Sequence, residues 1–118
     1  MKALAEFFRR LNRSDEELLA EEVRAWAQSV PGSVRIAEAR PRTRVKVAGV
    51  VRRITVRPVE GFESMEAVLW DGTGEVVAQW LGRRMIPGLR LGSRLVVEGV
   101  LGQDRALPRI VNPTFEFA

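Results

Sequence analysis

Residues 43–57 constrain this chain more than any other segment. TRVKVAGVVRRITVR alternates apolar and polar side chains with a period of two, the pattern of a half-buried strand rather than a helix. The phase changes once: Val45, Val47 and Val51 share one side, whereas Ile54 and Val56 share the other. The change follows Gly49-Val50-Val51, where a residue without a Cβ permits a bulge or sharp bend. A strand bent in this way can join two sheets. Pro58 marks its expected end.

Further strands follow. Glu63 to Trp70 alternates again, with Met65, Ala67 and Leu69 opposite Glu66, Val68 and Trp70. Asp71-Gly72-Thr73-Gly74 is a hairpin turn signal, and Glu75 to Leu81 is the partner strand. After an irregular stretch, Arg83-Arg84-Met85-Ile86-Pro87-Gly88, two more segments are expected. One spans Arg94 to Leu101, and the other runs from about Leu107 to Phe117 with a break at Asn112-Pro113. Five strands of this kind, the first one bent, suit an all-β core closed as a Greek-key barrel over residues 43–118. An SH3-like barrel is the rival, but it normally has shorter strands and no insertion between the third and fourth.

Ahead of this core the period is helical. Leu4, Phe7, Phe8 and Leu11 form one short stripe over residues 3–12. Ser14-Asp15-Glu16-Glu17 then matches a capping box, which predicts that a second helix starts there and carries Leu19, Val23, Trp26 and Val30 to a stop at Pro31-Gly32. The expected organisation is two short helices over residues 1–30, a linker over 31–42 and the barrel. Two short helices cannot bury both stripes alone, so they must cover the barrel or a second copy of the chain.

Composition narrows the chemistry. The 118 residues include no Cys and no His, which removes thiolate and imidazole metal sites, disulfides and the usual nucleophile–base pairs. Glu16, Glu17, Glu21 and Glu22 on one helix read as solvated carboxylates, not a metal site. The expectation is a protein that is not an enzyme and needs no metal or cofactor. No run of 18 apolar residues is present and the first residues meet Glu6, Arg9 and Arg10 early, so neither a membrane span nor a secretory signal is expected, and the cytoplasm is the expected location. Of 19 basic residues only Lys2 and Lys46 are Lys, and the rest are Arg, which contacts phosphate bidentately and stacks on flat rings. Residues 1–40 are neutral overall, so the whole net charge of +4 lies in residues 41–118.

The run Val47-Ala48-Gly49-Val50-Val51, then Ala67-Val68-Leu69-Trp70-Asp71-Gly72-Thr73-Gly74-Glu75-Val76, then Gly92-Ser93-Arg94-Leu95-Val96-Val97-Glu98-Gly99 resembles the OB-fold nucleic-acid-binding domain. The branch it resembles is that of bacterial helicase wedge domains and class II tRNA-synthetase anticodon-binding domains. Trp80-Leu81-Gly82-Arg83-Arg84-Met85-Ile86-Pro87-Gly88, with the later Asn112-Pro113, also resembles small stand-alone actinobacterial OB-fold proteins. The resemblance covers about residues 43–117. It implies binding of single-stranded DNA or RNA across the second and third strands and the loops flanking them.

Basic side chains along the backbone path and rings for base stacking are the residue types such binding needs. Arg44 and Lys46 point outward on the first strand, Arg53 and Arg57 take that side beyond the bulge, and Arg42–Val59 contains no acid. Arg52 sits at the phase change and faces either way. Trp70 is the candidate stacking ring, with packing against the helical front as its alternative, and Phe62 stands in the first loop. Arg83, Arg84 and Arg105 are candidate phosphate contacts at the rim, while Glu63, Glu66, Glu75 and Asp104 interrupt the surface. The competing reading is a protein-interaction or homo-oligomerisation module that uses the barrel or the helices.

Overall fold

The computed structural model describes residues 2–104 and 106–118, and for residues 2–3 and 5–14 the backbone alone. The protein is mostly β, with one long helix ahead of a six-stranded sheet. In chain order it comprises α1 (Lys2–Ser29), a 3-10 turn at Ile36–Glu38, β1 (Arg44–Val59), β2 (Phe62–Trp70), β3 (Glu75–Leu81), β4 (Arg94–Gln103), β5 (Pro108–Val111) and β6 (Thr114–Phe117).

β1 carries the architecture. It pairs with β4 over Arg44–Val50 and with β2 over Val50–Val59, both antiparallel, so one strand belongs to two neighbours in succession. The register shifts between Val51 and Arg53, which makes Arg52 the extra residue of a bulge beside the expected phase change. Gly49 is required at the crossing: a Cβ there would lie 3.1 Å from Leu69 Cβ and from the backbone N and O of Trp70. Pro58 does not end the strand. Beyond Val51, which exchanges backbone hydrogen bonds with Gly92 and Ser93, no strand among the described residues pairs with the other edge of β1, and an edge strand tolerates a residue without an N–H. The turn to β2 is formed by Glu60 and Gly61, both with positive φ (50° and 83°), as a two-residue hairpin requires.

β2 pairs antiparallel with β3, β3 parallel with β5, and β5 antiparallel with β4, which returns to β1 and closes a ring of five strands. β6 pairs with β4 next to β5. The expected fifth strand is therefore two strands, divided at the predicted break. Asn112 has a φ of 51°, its N–H donates to Gln79 O, and its Oδ1 accepts from Leu81 N. Those contacts turn the chain from the β3 edge to the β4 edge. Inside the ring lie Val47, Val51, Ala67, Leu69, Val76, Ala78, Trp80, Leu95, Val97, Leu101 and Ile110, joined by Ile36 from the segment before β1. Trp80 is buried and donates its Nε1–H to Pro113 O.

The two-helix expectation is corrected. Ser14 lies within α1, which runs unbroken for 28 residues. A capping box starts a helix only where the preceding residue leaves helical geometry, and nothing between Leu11 and Leu18 is Gly or Pro. The stop at Pro31-Gly32 holds, and the Ser33 hydroxyl donates to the carbonyls of Ala27 and Val30 at the helix end. Val23 and Ala27 are buried, with Ala27, Trp26 and Val30 packing on Ala48 and Val96, which point outward from β1 and β4. Arg94 lies over the Trp26 ring at 4.9 Å. Leu19 is exposed, and the side chains of Phe7, Phe8 and Leu11 lie outside the described residues.

The Asp71–Gly74 turn ties these parts together. Asp71 Oδ1 accepts from Thr73 N, Thr73 Oγ1 and Gly74 N, and Oδ2 accepts from Ile36 N at 2.9 Å. Gly72 has a φ of 85°, and a Cβ there would meet the Ala20 carbonyl of α1 at 2.8 Å. This glycine serves the turn and the approach of the helix together.

Candidate functional site

Among the described residues α1 packs on Ala48 and Val96, and the outward face of the second half of β1, with β2, β3 and β5, carries no covering helix, although Ser64, Glu66, Val77 and Gln79 on it are buried. Its side chains follow from the register. Arg53, Thr55 and Arg57 of β1 stand opposite Val68, Glu66 and Ser64 of β2. Those in turn face Val77, Gln79 and Leu81 of β3, and Val77 faces Arg109 of β5.

A carboxylate occupies the middle of this face. Glu66 is only 6% exposed and is held by two arginines: Arg57 Nε at 2.9 Å, and the guanidinium of Arg109. Arg109 also donates to Gln79 Oε1 at 3.0 Å and pairs with Asp104 at 3.3 Å. Gln79 Nε2 donates to Ser64 Oγ at 2.9 Å. Three acceptors fix the Arg109 guanidinium, and Glu66, Gln79 and Ser64 each have a partner, so the two arginines are held in place before any ligand arrives. The centre is close to neutral. Positive charge is concentrated towards the ends.

At one end lie the β1 bulge and the loop between β4 and β5. Arg52, whose direction the sequence leaves open, lies over the Trp70 ring at 3.6 Å. Trp70 is half-buried, so the ring is not a bare platform but one already stacked by a cation from the same chain. Arg53 is exposed beside it. A groove of about 440 Å³ is lined here by Arg52, Arg53, Val68, Glu75 and Leu107. At the other end Phe62 is 69% exposed, next to the turn between β1 and β2. Arg84 pairs with Glu63 at 3.2 Å, and Gly82 N donates to Glu63 O, which brings the segment after β3 against this hairpin.

The sequence-predicted residues are thus divided. Arg53, Arg57 and Trp70 share the open face, and Phe62 and Arg84 stand at its hairpin end. Arg83 turns towards Phe115, at 6.0 Å, next to β6. Arg44 and Lys46 point outward from the half of β1 that pairs with β4: Arg44 forms an ion pair with Glu98 at 3.1 Å, and half-buried Lys46 lies under Gly32 near Thr114 and Glu116. Arg105 lies outside the described residues. Arg109, Gln79 and Ser64 are additions that sequence reasoning missed. Arg109 alternates with core Ile110, which marks it as outward, but nothing local reveals that β5 lies parallel to β3 and places it against Glu66.

Among the described residues, no three carboxylates gather as a metal site requires, and no helix is long and apolar enough to cross a membrane. No family model matches the chain, and no curated protein matches it.

Proposed function

We propose that the closed ring is an OB-type barrel and that the protein binds single-stranded DNA or RNA across the open face of β1, β2, β3 and β5. The strand order, with a bent β1 shared between β4 and β2 and a parallel β3–β5 pair, supports the OB reading. One observation carries the binding reading: Arg52 and Arg53 at the bulge, followed by Arg57 and Arg109 already oriented on Glu66, line the face that carries no covering helix among the described residues, between the β1–β2 turn and the β4–β5 loop. Guanidinium groups contact phosphates bidentately and stack on bases, so they suit a strand whose bases are unpaired. The chain acts as a binding module and carries out no reaction.

The test is anisotropy titration of labelled 12-nucleotide single strands, DNA and RNA, with a duplex of the same sequence alongside. Single strands should bind with dissociation constants on the order of 1–100 µM at low salt, and more tightly than the duplex. Absence of binding to every single strand would overturn the proposal. A second reading, a protein-interaction or self-association module, has one observation in its favour. Leu4, Leu18 and Leu19 of α1 stand exposed. It predicts a dimeric mass in solution, measured by light scattering.

A further inference from the structure

We propose that the groove at the β1 bulge is a subsite for one base and that it selects guanine. This inference rests on the nucleic-acid reading above and adds a specificity to it.

The groove is built from five side chains of different character, each matched to one part of a nucleotide. Arg52 lies with its Cζ 3.6 Å from the centre of the Trp70 ring, so the indole positions the cation, and its exposed side is available to a second ring. Val68 and Leu107, both half-buried, give apolar contact to the edge of that base. Arg53 is exposed and has no ion-pair partner among the described residues, which suits a phosphate of the same strand. The remaining side chain is Glu75. It opens β3 directly across the ladder from Trp70, is half-buried, and forms no ion pair or hydrogen bond among the described residues although two arginines share its groove.

A carboxylate in that position is an acceptor without a donor. Its two oxygens match two parallel N–H groups, and among the four bases only guanine offers that pair on its Watson–Crick edge, from N1–H and the N2 amino group. Adenine and cytosine offer one amino group beside a ring nitrogen that would face an oxygen. Thymine and uracil offer one N–H between two carbonyls. The expected order is therefore guanine first, adenine and cytosine next, and thymine or uracil last. At the centre of the face the corresponding carboxylate, Glu66, is already satisfied by Arg57 and Arg109, so it makes no such selection.

The probes are fluorescein-labelled dT8 and the same strand with a single central dG, dA or dC, titrated by anisotropy into the full chain. The dG strand should bind about tenfold tighter than dT8. Glu75→Gln should lose that preference and move it towards dA, because an amide pairs bidentately with adenine. Glu75→Ala should lose it without replacement, and both variants should bind dT8 more tightly than the parent does, because the carboxylate that faces the thymine carbonyls beside Arg52 and Arg53 is gone, while melting as the parent does. Equal binding of all four strands by the parent overturns the guanine subsite and leaves the proposed function standing. So does a preference unchanged in both variants. Failure of every strand to bind sinks the proposed function and this inference with it.

Discussion

Replacing Asp71 with Ala should uncouple the segment before β1 from the ring. Asp71 is 2% exposed, and its carboxylate accepts three backbone N–H bonds, from Ile36, Thr73 and Gly74, besides the Thr73 hydroxyl. The substitution leaves those donors without an acceptor. The Ile36 N–H is buried, and losing its charged partner costs about 2 kcal/mol. The Thr73 and Gly74 donors are part-buried and regain water, so together they add roughly 1 kcal/mol. For 118 residues the unfolding entropy is about 0.25 kcal/mol/K, so a loss of about 3 kcal/mol lowers Tm by roughly 12 °C. Thr73→Val removes only the hydroxyl that joins Asp71 to Ala37 N and should cost about 1 kcal/mol, or roughly 4 °C. Thermal melts followed by circular dichroism measure both. A Tm for Asp71→Ala within about 2 °C of the parent would refute the idea that this carboxylate holds the turn and the Ile36 segment together.

Gly99→Ala should destabilise by about 1–3 kcal/mol, since its Cβ would lie 2.6 Å from Ile110 Cγ2 in the core, whereas Gly102→Ala meets only an ordinary contact and should be near neutral in the same melt. Val23→Ala, at a buried position of α1, should cost about 1–2 kcal/mol, while Leu18→Ser on the exposed part should change Tm little. Deleting residues 1–30 should uncover Ala48 and Val96 and lower stability or solubility, read by denaturant titration and by sedimentation.

What was legible in the sequence was local. The β1 bend shows in a phase change because inward and outward positions exchange at the extra residue, Arg52, and the Asp71–Gly74 turn and the Asn112-Pro113 break show in their own residue types. The length of α1 did not show, since a capping box within a stretch free of Gly and Pro competes with continued helix and loses. The grouping of the basic residues did not show either. Arg44, Lys46, Arg53 and Arg57 all point outward, yet β1 leaves β4 for β2 between the two pairs, so one outward direction belongs to two different neighbourhoods. The Glu66 network required knowing that β5 lies parallel to β3, a long-range pairing with no local signature.

The salt dependence of single-strand binding, compared between the two halves of β1, tests the binding face most directly. With Arg53 and Arg57 each meeting a phosphate and Arg52, stacked on Trp70, adding its charge beside the same strand, log affinity should fall against log salt with a slope of about −2. Arg53→Ala with Arg57→Ala should bring that slope to about −0.7 and weaken binding, while Arg44→Ala with Lys46→Ala should leave both affinity and slope near those of the parent. Binding lost in the Arg44/Lys46 pair and retained in the Arg53/Arg57 pair would place the ligand on the β4 side and contradict the proposed face.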